Sequence, residues 1–312
     1  MPGMKPFRFA VQAHTAPDVK SWRELARTIE SLGYSTMYMP DHFGDQWAPM
    51  VGLTVAAEAT DRLNVGTLVF DNDYRHPVVL AKEAATLDLV TEGRFEFGIG
   101  AGWMRTDYEQ SGIPYDAPGV RIDRLTEALA IMKAMWSEGS ATFEGKHYTV
   151  KDAQGAPRPY TSPHPPIVIG GGGKRVLSLA AREANIVGVT ANARSGEMGA
   201  DAAQTAKAEF FKQRLQWIKD AAGDRFDDIE IQSLTFIMQV TEDRESVFEN
   251  IAPLFGFTLE EAREVPLALV GTLDQICEIL EQRREEYGTS YITVQDAALH
   301  DFAPVVERLA GK

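Results

Sequence analysis

Two hydrophobic rhythms alternate along the first hundred residues. Short apolar runs at 7–12, 36–39, 64–70 and 94–100 read as strands. Between them lie longer stretches with helical spacing. In 18–32 the residues Trp22, Leu25, Ala26 and Ile29 share one face, and Gly33 is the stop signal. A second helix is expected over 49–59. A third starts at Pro77, a favoured first helical position, and ends near Glu92-Gly93. A repeating strand–helix order implies parallel strands joined by crossover helices. No composition shift or linker divides the chain, so the pattern predicts a single α/β domain over 1–312. A (β/α) barrel is the first expectation and a doubly wound sheet the alternative.

The rhythm breaks at about 104–165 and again at about 190–228. The first break holds the segment 107–119, a helix with Ile122, Leu125, Leu129, Met132 and Trp136 on one face, a hairpin over 141–150 turning at Glu144-Gly145, and a Pro-rich approach at 156–166. The second holds a polar, Gly-rich stretch at 190–199 and a long helix to about Ala222. Further strands are expected at 229–240 and 291–294, and helices at 245–257, 272–287 and from Phe302. In a barrel, excursions that follow strands lie on the catalytic face, which makes both breaks candidate substrate walls, with oligomer contacts as the other use.

Two of the strands run into glycine turns. The strand at 95–99 continues into Gly98-Ile-Gly-Ala-Gly102-Trp103. The strand at 166–169 continues into Gly170-Gly-Gly-Gly173 and then a helix over 174–182. Glycines at strand ends let backbone N–H groups approach an anion, and a helix N-terminus adds its dipole. Neither turn fits the commoner nucleotide motifs. The sixth position of a dinucleotide fingerprint is occupied by Trp103, and Val168 and Arg175 stand where a P-loop needs Gly and Ser or Thr. Two such turns on separate strands point to one phosphorylated cofactor held on one face of a parallel sheet or barrel.

Composition narrows the partners. A net charge of −14 argues against nucleic acid or an anionic membrane, and requires any anionic ligand to be held locally. The single cysteine, Cys277, falls on the apolar face of a helix and excludes a disulfide framework. No signal-type segment and no apolar run of membrane-spanning length is present in the sequence, which gives the expectation of a cytoplasmic protein. The six histidines have no metal-ligand spacing, and no G-x-S-x-G elbow exists, so a metal hydrolase is a distant alternative and a serine hydrolase is unsupported.

The strand at 36–39 ends in Pro40-Asp41-His42-Phe43, with Trp47 just beyond. A histidine at a strand's C-terminal end is suited to proton transfer near neutral pH. Adjacent residues in an extended stretch point opposite ways, so Asp41 and His42 are not expected to form a simple dyad. Asn72, after the strand at 64–70, is placed to bond a heterocycle edge, while His76 serves backbone carbonyls or ligand equally well.

These stretches resemble the bacterial luciferase-like flavin and deazaflavin oxidoreductases. The resemblance is carried by L-G-Y-S-T-M-Y-M-P-D-H-F (32–43), N-V-G-T-L-V-F (64–70), R-H-P-V-V-L-A-K-E-A-A-T-L-D (75–88), G-R-F-E-F-G-I-G-A-G-W (93–103), R-I-D-R-L-T-E-A-L (121–129), P-H-P-P-I-V-I-G-G-G-G (163–173), A-N-I-V-G-V (184–189) and L-V-G-T-L-D-Q-I-C-E-I-L (269–280). It is most similar to the branch that uses coenzyme F420, a deazaflavin, with FMN as the alternative cofactor. The resemblance implies a TIM (β/α)8 barrel with insertions, a homodimer, a separate F420 or flavin reductase, and a small-molecule substrate. It implies a cofactor across the C-terminal face, with phosphate near Gly100, Ala101, Gly102 and Gly170, Gly171, Gly172, Gly173. A non-proline cis peptide behind the ring is expected at Leu68-Val69, flanked by Phe70 and Asn72, with Asp41 and Trp103 also at the cofactor. His42 is the implied active-site histidine and Trp47 the implied aromatic partner. The sugar-phosphate branch has an acidic residue after the strand-four glycines. Trp103 stands there instead, so an apolar face toward the substrate is expected, with His42, Tyr108 or Glu109 as proton donor. Three activities remain open: hydride transfer with F420, FMN-dependent monooxygenation, and non-catalytic cofactor binding.

Overall fold

The computed structural model describes residues 4–197 and 199–312. Eight parallel strands form a closed ring: β1 (Arg8–Gln12), β2 (Thr36–Met39), β3 (Asn64–Thr67), β4 (Phe95–Gly100), β5 (Ile167–Gly171), β6 (Ile186–Val189), β7 (Glu230–Leu234) and β8 (Thr289–Gln295). Each pairs with its sequence neighbour, and β8 returns to β1 with Arg8 opposite Tyr291. The barrel expectation therefore holds, and the doubly wound alternative does not, because an open sheet has no β8–β1 pairing.

β4 shows why the ring forms. Side chains alternate across a strand. On the outer face, Phe95, Phe97 and Ile99 pack under the surrounding helices, where Phe97 meets Trp136 edge-on at 5.1 Å. On the inner face come Glu96, Gly98 and Gly100. The other strands repeat the scheme, and Ala10, Tyr38, Val168, Ile186 and Tyr291 fill the middle of the barrel. Below them, Arg8 bonds Glu96 and also Glu230 at 3.1 Å, and the Tyr38 and Tyr291 hydroxyls both reach Glu96.

The third strand is interrupted after Thr67 and resumes at Phe70-Asp71, opposite Ile99 and Gly100. The Leu68–Val69 peptide between the two pieces is cis, and the Gln12 side-chain amide donates to the Leu68 carbonyl at 3.0 Å.

The chain leaves the ring between β4 and β5 and between β6 and β7, where the rhythm breaks. The first excursion contains helices Arg105–Ser111 and Pro118–Ser137 and the hairpin Ser140–Glu144/Thr149–Gln154. The expected strand at 229–240 is in fact two. The Thr235 N–H still bonds the β8 residue Thr293, but the Phe236 N–H bonds Leu267, and Ile237–Val240 then pairs with Ala268–Gly271 outside the ring. The switch of partner occurs between adjacent apolar and polar residues, so no break in periodicity marks it. Among the described residues no helix is long and apolar enough to cross a membrane.

Candidate active site

A cavity of about 890 Å³ opens at the C-terminal ends of the strands. Its floor is made by the inner residues that end the strands, among them Gln12, Gly100, Gly170, Gly188, Gln232 and Gln295. Asp41, His42, Leu68, Val69 and Phe70 line its wall. So do Gly100, Ala101, Gly102 and Trp103 from the first glycine turn and Gly170, Gly171, Gly172 and Gly173 from the second.

Asp41 and His42 point to different tasks. The Asp41 carboxylate accepts both terminal nitrogens of Arg75, at 2.5 and 3.1 Å, and the Asp71 N–H at 3.1 Å. It ties the end of β2 to the loop after β3. His42 Nδ1 lies 2.6 Å from Asp107 Oδ2. A carboxylate only accepts, so Nδ1 carries the hydrogen and Nε2 is left for a reacting group. Asp107 is 2% exposed and is itself held by the Phe43 N–H at 3.3 Å and the Tyr74 hydroxyl at 3.1 Å. Trp103 stands edge-on to His42 at 5.6 Å.

Two expected residues are elsewhere. Trp47 is not in the cavity wall. It packs on Trp22 at 5.1 Å, drawn into the apolar layer behind the strands, and Trp103 is the aromatic beside His42. Asn72 is buried with its amide on the Tyr148 hydroxyl at 3.3 Å, outside the wall, because the hairpin of the first excursion covers it. Of the other proton-donor candidates, Glu109 is exposed. The Tyr108 hydroxyl is spent on Asp71 and Asp73, and burial, with Asp71 beside it, pushes its phenol far above the ordinary range. Asp107 is the residue that sequence reasoning did not supply. Its only signal is its place one turn into the excursion that follows the glycines.

Asp71 lines the cavity behind the first turn. Burial pushes its carboxyl up to about 7, and Asp73 and Asp41 add repulsion, while bonds from the Asp73 N–H and Tyr108 pull the other way. Gly102, at φ +72°, allows this close packing: a Cβ there would fall 1.9 Å from the Tyr108 oxygen and 2.3 Å from Asp71 Oδ2.

The second turn fits a phosphorylated cofactor. A Cβ on Gly170 would meet nothing nearer than the Gly188 carbonyl at 3.8 Å, so a side chain there would fill the cavity. Gly173 starts the helix Lys174–Glu183 with no side-chain cap, leaving first-turn N–H groups for an anion.

The family model described as luciferase-like monooxygenase matches residues 3–305. An F420-dependent glucose-6-phosphate dehydrogenase of Intrasporangium calvum is 32% identical over 164 residues, 49% of this chain and 48% of that protein. An FMNH(2)-dependent dimethylsulfone monooxygenase of Pseudomonas putida is 26% identical over 178 residues, 55% of this chain and 49% of that one. The chain spans about half the length of the curated relatives it matches. The solved coenzyme F420-dependent tetrahydromethanopterin reductase of Methanopyrus kandleri superposes with a TM-score of 0.77 over 97% of this chain and 99% of that one, at 18% identity. That likeness speaks to the barrel alone. With the family model covering nearly the whole chain, the protein belongs to the luciferase-like monooxygenase family of flavin- and deazaflavin-dependent oxidoreductases.

Proposed function

We propose that this protein is an F420-dependent oxidoreductase acting on a small carbonyl compound or the corresponding alcohol. The observation that carries this reading is the His42–Asp107 pair in the wall of a cavity that two glycine turns also line. Bound F420 supplies or accepts a hydride, a two-electron change that needs a matching proton transfer at the substrate heteroatom. In the reducing direction, protonated His42 gives the Nε2 proton to the carbonyl oxygen. In the oxidising direction, neutral His42 takes the proton from the alcohol. Asp107 fixes the tautomer and orientation of the ring. Trp103 and Ile122 in the wall favour a substrate with an apolar body.

FMN is the second reading, supported by the similarity to an FMNH(2)-dependent monooxygenase. A fluorescence titration of the apo-protein with F420 and FMN separates the two. Micromolar or tighter binding of F420 alone supports hydride transfer, and preference for FMN moves the reading to monooxygenation. Cofactor binding without turnover across a panel of ketones and alcohols would leave a carrier protein. We also propose a homodimer and a separate reductase that recycles the cofactor. Exposed Val51 on the helix Pro49–Glu58, with Val79 and Val90 on Pro77–Val90, supports the former.

A further inference from the structure

Among the described residues only two basic side chains are buried, Arg121 and Arg214, each 3% exposed. Each holds one of the two glycine turns: Arg214 from behind, away from the cavity, and Arg121 from a place where it also lines the cavity. Arg214, from the helix Ala208–Ala222, donates Nε to the Gly172 carbonyl at 2.9 Å and Nη1 to the Thr205 carbonyl at 2.5 Å. Arg121, from the helix Pro118–Ser137, donates Nε to the Ala101 carbonyl at 3.1 Å and Nη2 to the Gly102 carbonyl at 3.3 Å. Its Nη1 serves the Asp116 carbonyl. Neither guanidinium has a carboxylate partner among the described residues. Burial without a counter-charge pulls Arg214 down to about 10.

Trans peptide geometry gives this arrangement a direction. The N–H that follows a carbonyl points the opposite way. With the Gly172, Ala101 and Gly102 carbonyls turned to the arginines, the N–H groups of Gly173, Gly102 and Trp103 turn away from them. None of those three N–H groups donates to any group among the described residues, and all three residues line the cavity. These three residues are half-buried, so their N–H groups are open to a ligand in the cavity. A buried charge without a partner is costly, and a neutral amide could hold a carbonyl as well. An anion lying against the turns would accept from these N–H groups and supply the charge that the two arginines lack. The chain's net charge of −14 would otherwise repel such an anion.

We propose that Arg121 and Arg214 are the counter-charges for the cofactor's phosphate, Arg214 acting from behind its turn and Arg121 from beside its own. They hold each turn with its N–H groups outward and make the seat selective for a phosphorylated ligand. This rests on the cofactor reading above but assigns a role to residues that reading leaves out. Arg214, behind the turn that also carries the helix N-terminus, bears the larger share.

The test pairs ligands that differ only by the phosphate: FMN with riboflavin, and F420 with its deazaflavin chromophore lacking phosphate. Dissociation constants are measured for the wild type, Arg214→Gln and Arg214→Lys. Glutamine keeps a donor for Gly172 without charge, and lysine keeps the charge. Arg214→Gln is expected to weaken the phosphorylated ligand about tenfold or more, roughly 1.4 kcal/mol, and to leave the phosphate-free one within about threefold. Arg214→Lys should retain most of the preference. Arg121→Gln should show the same pattern, less steeply. Equal losses for both ligands would make the arginines braces only and overturn the proposal. So would a wild type that binds the two ligands of a pair equally well. A wild type that binds neither phosphorylated cofactor overturns the cofactor reading itself. Arg283→Gln is the control for a purely structural guanidinium, since Arg283 serves the Val265, Pro266 and Ala268 carbonyls and does not line the cavity.

Discussion

At the N-terminal end of the barrel the inward side chains are Arg8, Thr36, Glu96, Glu230 and Tyr291, joined in one hydrogen-bonded network. At the C-terminal end the corresponding inward positions are Gln12, Gly100, Gly170, Gly188, Gln232 and Gln295, and they enclose open space. β4 passes from one regime to the other in five residues, from Glu96 through Gly98 to Gly100. The lower end spends charge on closing the barrel. The upper end removes side chains so that backbone and a few polar groups face a ligand. This difference implies that substitutions below should cost stability and spare binding, and substitutions above should do the reverse.

The sharpest test of the upper end is His42→Ala. Turnover is expected to fall about 10²–10⁴-fold, the usual weight of a positioned proton donor, with cofactor affinity nearly unchanged. Asp107→Asn should cost about 10–100-fold, because the amide can present a donor to Nδ1 and release the tautomer. Steady-state rates with reduced F420 alongside a binding titration measure both. Unaltered rates in His42→Ala would remove the chemistry from that wall.

The lower end is tested by Glu96→Gln. Arg8 loses a charged partner and one of the two oxygens that accept from Arg8 and the tyrosines becomes a donor, although Arg8 keeps Glu230 and is partly exposed. The expected loss is about 2–4 kcal/mol in denaturant unfolding, with cofactor affinity within about twofold. A large loss of affinity at preserved stability would mean that the two ends are not separate.

Asp71 sharpens the comparison from the upper end, since it is a buried acid with no ion-pair partner among the described residues. Its folded value of about 7 lies above the ordinary carboxylate value of 3.8. The folded state therefore holds this proton more tightly than the unfolded chain. The associated stability is complete below about pH 4 and is lost as pH rises through 7. Asp71→Asn removes that loss. Relative to wild type it should gain about 2 kcal/mol at pH 8 and nothing at pH 4, after allowing for weaker bonds from Tyr108 and Asp73. Thermal melts of both proteins across that range give the difference directly. A difference independent of pH would place the Asp71 proton elsewhere.

The sequence showed the alternating strands, the glycine turns and His42, because each has a local signature: periodicity, absent side chains, or position at a strand end. What it hid depends on distance along the chain. Asp107 lies 65 residues from His42, and on its own short helix it reads as a solvated acid. Glu96 is one polar residue inside an apolar strand, and only closure of the ring gives it partners. Trp47 misled by proximity: five residues from His42 in sequence, it turns to Trp22 behind the sheet. Arg121 and Arg214 lie on helices that carry other, less buried basic residues, so nothing local marks these two as buried.

The smallest expected effect is also the most specific, because the glycines at the strand ends serve two purposes. A Cβ on Gly98 would sit 1.8 Å from the Thr67 carbonyl oxygen, so that glycine lets two strands approach. Gly171 likewise faces Val176, at 2.4 Å, and a side chain there would disturb the helix start more than the cavity. Gly170 faces the cavity with only the Gly188 carbonyl in range, at 3.8 Å. Its backbone does not need the left-handed region, and alanine should therefore leave stability within about 0.5 kcal/mol. The added methyl occupies the place where a cofactor would lie against the backbone, and affinity should fall about threefold to tenfold, or roughly 0.7–1.4 kcal/mol. Titration with F420 or FMN, beside a melting curve, separates the two quantities. A lower melting temperature with unchanged affinity would put Gly170 in the same class as Gly98, and the cofactor would then have to lie away from the second turn.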